Sequence, residues 1–138
     1  MTGPGTDELA RARHLGGQAA RLLDAAGYRP HPASWAFGIR HPAYHDLLDP
    51  AASDGRRLWA ARSLLARLDG HVRRERLLAE MAAERDGAAP DPYGRRWATT
   101  PHGALLEIAA RTLRSAEGAL AEAGIVPEPP TPKRYAAL

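Results

Sequence analysis

SDGRRLWAARSLLARLDGHVRRERLLAEMAAERD, residues 53–86, is the stretch whose reading decides the fold class. It contains no proline, and Leu58, Ala61, Leu65, Leu68, Val72, Ala79 and Ala83 recur at steps of three, four and seven. At 100° per residue these positions share one side of a helix, a period no strand can satisfy. The pattern predicts one long amphipathic helix, with a break or kink at Asp69-Gly70, where propensity is poorest. Trp59, Leu77 and Met81 fall on the far side. A helix apolar on two faces is either covered twice or presents a docking patch.

Working outward, GAAPDPYG at residues 87–94 has the composition of a loop, and Thr100-Pro101 supplies an N-cap and first-turn proline for a last helix ending before Gly124. Leu105, Ala109, Thr112, Leu113, Ala116, Leu120 and Ala123 form its inner face. On the N-terminal side, Thr6 as cap, Asp7 and Glu8 in the first turn and Gly27 at the end bracket a first helix. Its stripe is Ala12, Leu15, Ala19, Leu22, Leu23 and Ala26, interrupted by Gly16-Gly17, which marks either a close helix crossing or local fraying. Between the two lies YRPHPASWAFGIRHPAYHDLLDP, residues 28–50, whose prolines permit only one short helix, from Pro42 to about Leu48.

The expected fold is therefore all-α: a small helical bundle of three long amphipathic helices with a Pro- and aromatic-rich segment containing one short helix. Residues 1–126 form a single helical domain and residues 127–138 a Pro-rich C-terminal tail, of polyproline type or disordered. The 138 residues suffice for one self-supporting core. The chain has no cysteine, which excludes disulfides, thiolate metal sites and a Cys nucleophile. It shows neither a signal peptide nor an apolar run of the roughly 18 residues a membrane span needs. The expectation is a soluble cytoplasmic protein with no membrane partner.

The formal net charge is +3, and the basic residues are all arginine except Lys133. Together with abundant Ala, Gly and Pro, that bias is what GC-rich coding produces, and the composition resembles that of actinobacterial proteins. Acidic residues are interspersed throughout, so the basic balance by itself does not identify a nucleic-acid tail.

Four constellations carry candidate chemistry. Tyr28, Trp35, Phe37 and Tyr44 are half of the aromatic side chains. Tyr28, Trp35 and Phe37 would line a pocket for a planar or apolar small molecule, or else simply fill core. His41, Tyr44 and His45 beside it would supply acid-base catalysis near neutral pH. His41 and His45 share a helical face, but Pro42 stands where a zinc protease needs glutamate, and two ligands do not make a metal site, so no metal and no cofactor is expected. Arg56, Arg67, Arg74 and Arg85 align within about 20° if the long helix is unbroken, a row able to follow phosphates. A helix-turn-helix alignment at Gly70 fails, since Arg76 falls where an aliphatic residue must be buried. The tail matches a PxxPxR spacing at Pro129, Pro132 and Arg134, of the kind SH3-type grooves read. There is no nucleophile elbow, P-loop or dinucleotide-binding glycine motif.

The leading expectation is a helical binding or regulatory module that docks a protein partner or a second copy of itself through Trp59, Leu77 and Met81. The alternative is a small helical enzyme or small-molecule-binding protein with its pocket in residues 28–45, and the third reading is a nucleic-acid binder through the arginine row.

Overall fold

The structure, a computed structural model, describes residues 6–28, 42–91 and 95–129. These residues are all-helical, in five helices: α1 (Thr6–Ala25), α2 (Pro42–Leu48), α3 (Asp54–Arg85), α4 (Arg95–Ala98) and α5 (Pro101–Glu122). No helix among them is long and apolar enough to cross a membrane.

Local chemistry sets the ends. Ser53 caps α3 by accepting the Arg56 amide at 3.2 Å, and Thr100 caps α5 by accepting that of Gly103 at 3.0 Å, with Pro101 in the first turn. At the other end of α1 the Tyr28 amide reaches back to the Leu23 carbonyl and the Gly27 amide to Asp24, both at 3.0 Å. This paired closure needs the left-handed backbone of Gly27, φ 74°. The same pair of bonds closes α3 at Gly87 and α5 at Gly124.

The helices do not form the mutually packed three-helix bundle that their number suggests. α1 and α3 each pack along α5, but touch one another only slightly; the short α2 stands between them and contacts both. The reason lies in side-chain size. Ala19, Ala20, Ala60 and Ala61 on α1 and α3 are fully buried but fill little volume. The wholly buried Tyr44 and the buried Leu47 of α2 occupy the slot that these alanines leave. Leu64, Leu68, Leu106 and Leu113 complete the main core, with Tyr28 and Trp97 at its upper end. A second small cluster of Ala12, Leu58 and Leu120 closes the lower end. The fifth helix, α4, is a single turn that seats Trp97 and was not legible in the sequence.

Gly16 shows what the close crossing requires. A β-carbon there would lie 3.1 Å from Leu47 Cδ2 and 3.9 Å from Ala116 Cβ, so the interruption marks close approach rather than fraying. Gly70 is the opposite case. α3 runs unbroken through Asp69-Gly70, correcting the expected break, and a β-carbon at Gly70 would meet nothing within 4 Å. The propensity cost of one glycine, about 1 kcal/mol, is small beside the burial of Leu64, Leu68 and Val72 on either side of it.

Ion pairs settle the direction of packing. Arg13 holds Asp54 through two bonds of 2.8 Å at the lower end, while Tyr28 meets His71 at the upper, so α1 and α3 run parallel. Arg62 pairs with Glu117 and Asp69 with Arg114, both at 2.9 Å, and Arg76 pairs with Glu107, so α5 runs antiparallel to α3. Each half-exposed pair contributes only about 0.2–1 kcal/mol. Their alternating sign matters more: sliding α3 by seven residues sets Asp69 against Glu117 and Arg76 against Arg114, so the ladder opposes the wrong register. Beyond Glu122 the chain stays on the domain, with the Glu128 amide bonded to the Gly55 carbonyl at 2.9 Å and Ser53 Oγ donating to its carboxylate at 2.8 Å. The remainder of the PxxPxR motif, Pro132 and Arg134 included, lies outside the described residues.

The two glycines yield opposite expectations. Gly70→Ala should stabilise the protein by about 1 kcal/mol through helix propensity. Gly16→Val should destabilise it by about 1–3 kcal/mol through overpacking against Leu47. Urea unfolding followed by circular dichroism measures both.

Candidate functional site

Trp35, Phe37 and His41 lie outside the described residues, so the proposed pocket is represented by Tyr28, Tyr44 and His45. α2 separates them. Tyr44 points inward and is completely buried, and its hydroxyl donates to the Tyr28 carbonyl at 2.7 Å, which ties α2 to the end of α1. His45, one residue on, points outward with 60% of its side chain exposed, and its Nε2 is 3.9 Å from Asp49. Asp46 turns inward again, with its Oδ1 3.5 Å from Arg56 Nη2. Tyr44 and His45 therefore do not share a site. Among the described residues no three His, Asp or Glu side chains converge as metal ligands.

Tyr28 instead meets a residue that the sequence reading had not paired with it. Its ring lies 5.0 Å from that of His71 at a tilt of 51°. Burial pushes the Tyr28 hydroxyl above its ordinary value, opposed by Arg67 and Arg74. Burial likewise pulls His71 below the usual imidazole range; Glu75 opposes this, and Arg74 and His102 reinforce it. His71 precedes the buried Val72 and follows Leu68 by three, which places it at the margin of the core stripe. That margin was the only signal for the pairing.

Two clefts can be set aside by their chemistry. One, of about 340 Å³, lies between α1 and the α2–α3 turn and is lined by Arg13, His14, Gly17, Arg21, Leu47 and Arg57, among others. Its cations are largely committed to the fold. Arg57 is buried and donates to Asp54 Oδ1 at 2.9 Å and to the carbonyls of Asp49 and Pro50 at 2.9 and 3.1 Å, closing the end of α2. Arg13 takes the rest of Asp54, and its hydrogen bond is the main reason that carboxyl sits below the usual range, with burial acting in the opposite sense. The other, also about 340 Å³, follows the α3–α5 seam and is lined by the paired Asp69, Arg76, Glu107 and Arg114.

No protein-family model, curated protein or solved structure matches this chain.

The largest exposed apolar side chains of α3 lie on its outer side. Leu77 and Met81 are 60% and 52% exposed, and Trp59 is half-buried. Leu78, 53% exposed, belongs to the same surface and was missed, because it lies between the core stripe and the far face. Ala66 and Gly70 are exposed between Trp59 and Leu77. The buried residues of α3 end at Val72. α1 stops level with His71, so nearly half of α3 continues past it, in contact with α4 and α5 among the described elements. Of the arginine row, Arg67, Arg74 and Arg85 are exposed, whereas Arg56 leans onto Asp46.

His71 gives a pH test of this corner. Its folded pKa lies below the unfolded 6.5, so the unfolded chain takes up the proton first. The stability contribution is complete above pH 6.5 and falls as the pH drops below it. Thermal melts of the native protein should therefore decline from neutral to mildly acidic pH, and His71→Asn should flatten that part of the profile.

Proposed function

We propose that the protein is a helical interaction module whose working surface is the outer face of α3, with Leu77 and Met81 at its centre and Trp59 towards its lower end. The observation that carries this reading is the cluster of Leu77, Leu78 and Met81, each more than half exposed on the part of α3 that α1 does not cover. The part of each side chain that stays in water adds little to folding, and covering it against a partner is worth roughly half of the about 1.5–3 kcal/mol that full burial gives, before the costs of association. A helix face of this kind is a common element of protein recognition.

Two observations weigh against the catalytic reading. The Tyr44 hydroxyl is buried and committed to a backbone carbonyl, and His45 faces away from it beside Asp49. For the nucleic-acid reading, the inclination of Arg56 towards Asp46 shortens the row able to meet phosphates to three arginines.

The test is site-directed photocrosslinking in the cells that make the protein. A photoreactive residue in place of Leu77 should give a discrete protein-sized adduct, and Met81→Glu in the same chain should remove it while helical circular dichroism is unchanged. A photoreactive residue in place of the exposed Ile108 on α5 serves as control. Identical adducts from both positions, or none from Leu77, would refute the proposal.

A further inference from the structure

The back of α5 carries charges that match one another at a distance. Ala104, Ile108, Arg111, Ser115, Gly118 and Glu122 lie within about 80° of one another around the helix. They face away from Leu106, Leu113 and Leu120, and none of the six is buried. The remaining glutamates and arginines of α5 are engaged by α3: Glu107 by Arg76, Arg114 by Asp69 and Glu117 by Arg62. Arg111 and Glu122 have no ion-pair partner among the described residues. Between them stand Ser115 and Gly118, and a β-carbon at Gly118 would meet nothing within 4 Å. Beyond Arg111 lies Ile108, 47% exposed, and beyond Glu122 lies Val126, 77% exposed.

We propose that this face pairs with the same face of a second copy, α5 against α5, antiparallel about a two-fold axis midway between Ser115 and Gly118. Such a pair sets Ser115 level with the partner's Gly118. Four residues further out on each helix, the same pairing sets Arg111 level with the partner's Glu122. Each contact occurs twice, as a two-fold interface requires, so the helix carries its own complement. That match is what selects a second copy as the occupant. A parallel pairing loses it, because Arg111 then meets Arg111 and Glu122 meets Glu122. In the antiparallel pair Ile108 reaches the level at which the partner's chain leaves α5, where the partner's Val126 stands in water. The small Ser115 and Gly118 let the two backbones approach closely at the centre. The pairing does not depend on the docking reading of α3, since Leu77 and Met81 lie on another helix and stay free.

Sedimentation equilibrium of the full-length protein tests the pairing. The native chain should pass from one copy to two over about 10–300 µM, the range suited to a small interface. Arg111→Glu and Glu122→Arg should each weaken the dimer at least about tenfold, because like charges then meet at both ends. An equimolar mixture of these two variants should recover native association, since each end of the mixed pair again joins opposite charges. Gly118→Leu should abolish the dimer with helical circular dichroism undiminished. At the same concentrations a photoreactive residue in place of Ile108 should capture a second copy, an adduct of twice the chain mass. A native protein that stays a single copy throughout the range would overturn the proposal. So would a mixture that associates no better than either variant alone. A dimer that survives Arg111→Glu and Gly118→Leu but is lost in Met81→Glu would place self-association on α3 and overturn it too.

Discussion

Tyr44 between two alanine-lined helices is the contact on which the rest of the molecule depends. α1 and α3 present Ala19, Ala20, Ala60 and Ala61 to the interior, surfaces too shallow to meet each other across the width of α5. Close packing needs bulk from elsewhere, and a helix of only seven residues provides it. Tyr44 also secures the joint chemically, since its hydroxyl bonds the Tyr28 carbonyl just past the end of α1. Arg57 does the same at the lower end of α2 by holding the carbonyls of Asp49 and Pro50. A short helix that is weak alone is thereby fixed at both ends.

The arrangement determines what stays uncovered. Among the described residues α2 and α5 pack against the inner side of α3, and because α1 closes at Gly27 the upper part of α3 continues beyond it. At 32 residues α3 is about 48 Å long, against about 30 Å for the 20 residues of α1. The ladder of Arg62, Asp69 and Arg76 keeps this long helix in one register against α5, so that the exposed leucines and the methionine are held at defined positions on a rigid rod.

Much of this was legible in the sequence wherever the cause was local. Ser53, Thr100-Pro101 and Pro42 begin helices, and Gly27 and Gly124 end them, because caps and turns act over four or five residues. The inner stripes were legible for the same reason, since the period of a helix is a local property. What covers each face depends on distant residues, and there the reading fell short. Tyr44 and His45 look alike in a run of aromatic and histidine residues, yet one closes the core and the other faces water. Arg57 gave no sign that it would be buried, because its carbonyl partners are created by the turn it stabilises. Gly70 suggested a break that packing on both sides overrode, and the Tyr28–His71 contact joins residues 43 positions apart. The arginine row was visible by period alone, but that Arg56 leans onto Asp46 depends on how α2 packs against α3.

The central claim is that α2 couples α1 to α3, and native-state hydrogen exchange on Tyr44→Ala tests it most directly. Loss of the wedge leaves a cavity that costs about 3–5 kcal/mol. If the slot is filled as described, the amides of residues 19–23 in α1 and 60–68 in α3 will lose protection together and by similar amounts, as one cooperative unit. Loss of protection confined to residues 42–48, with α1 and α3 as slow to exchange as in the native protein, would show that the two long helices hold each other without it.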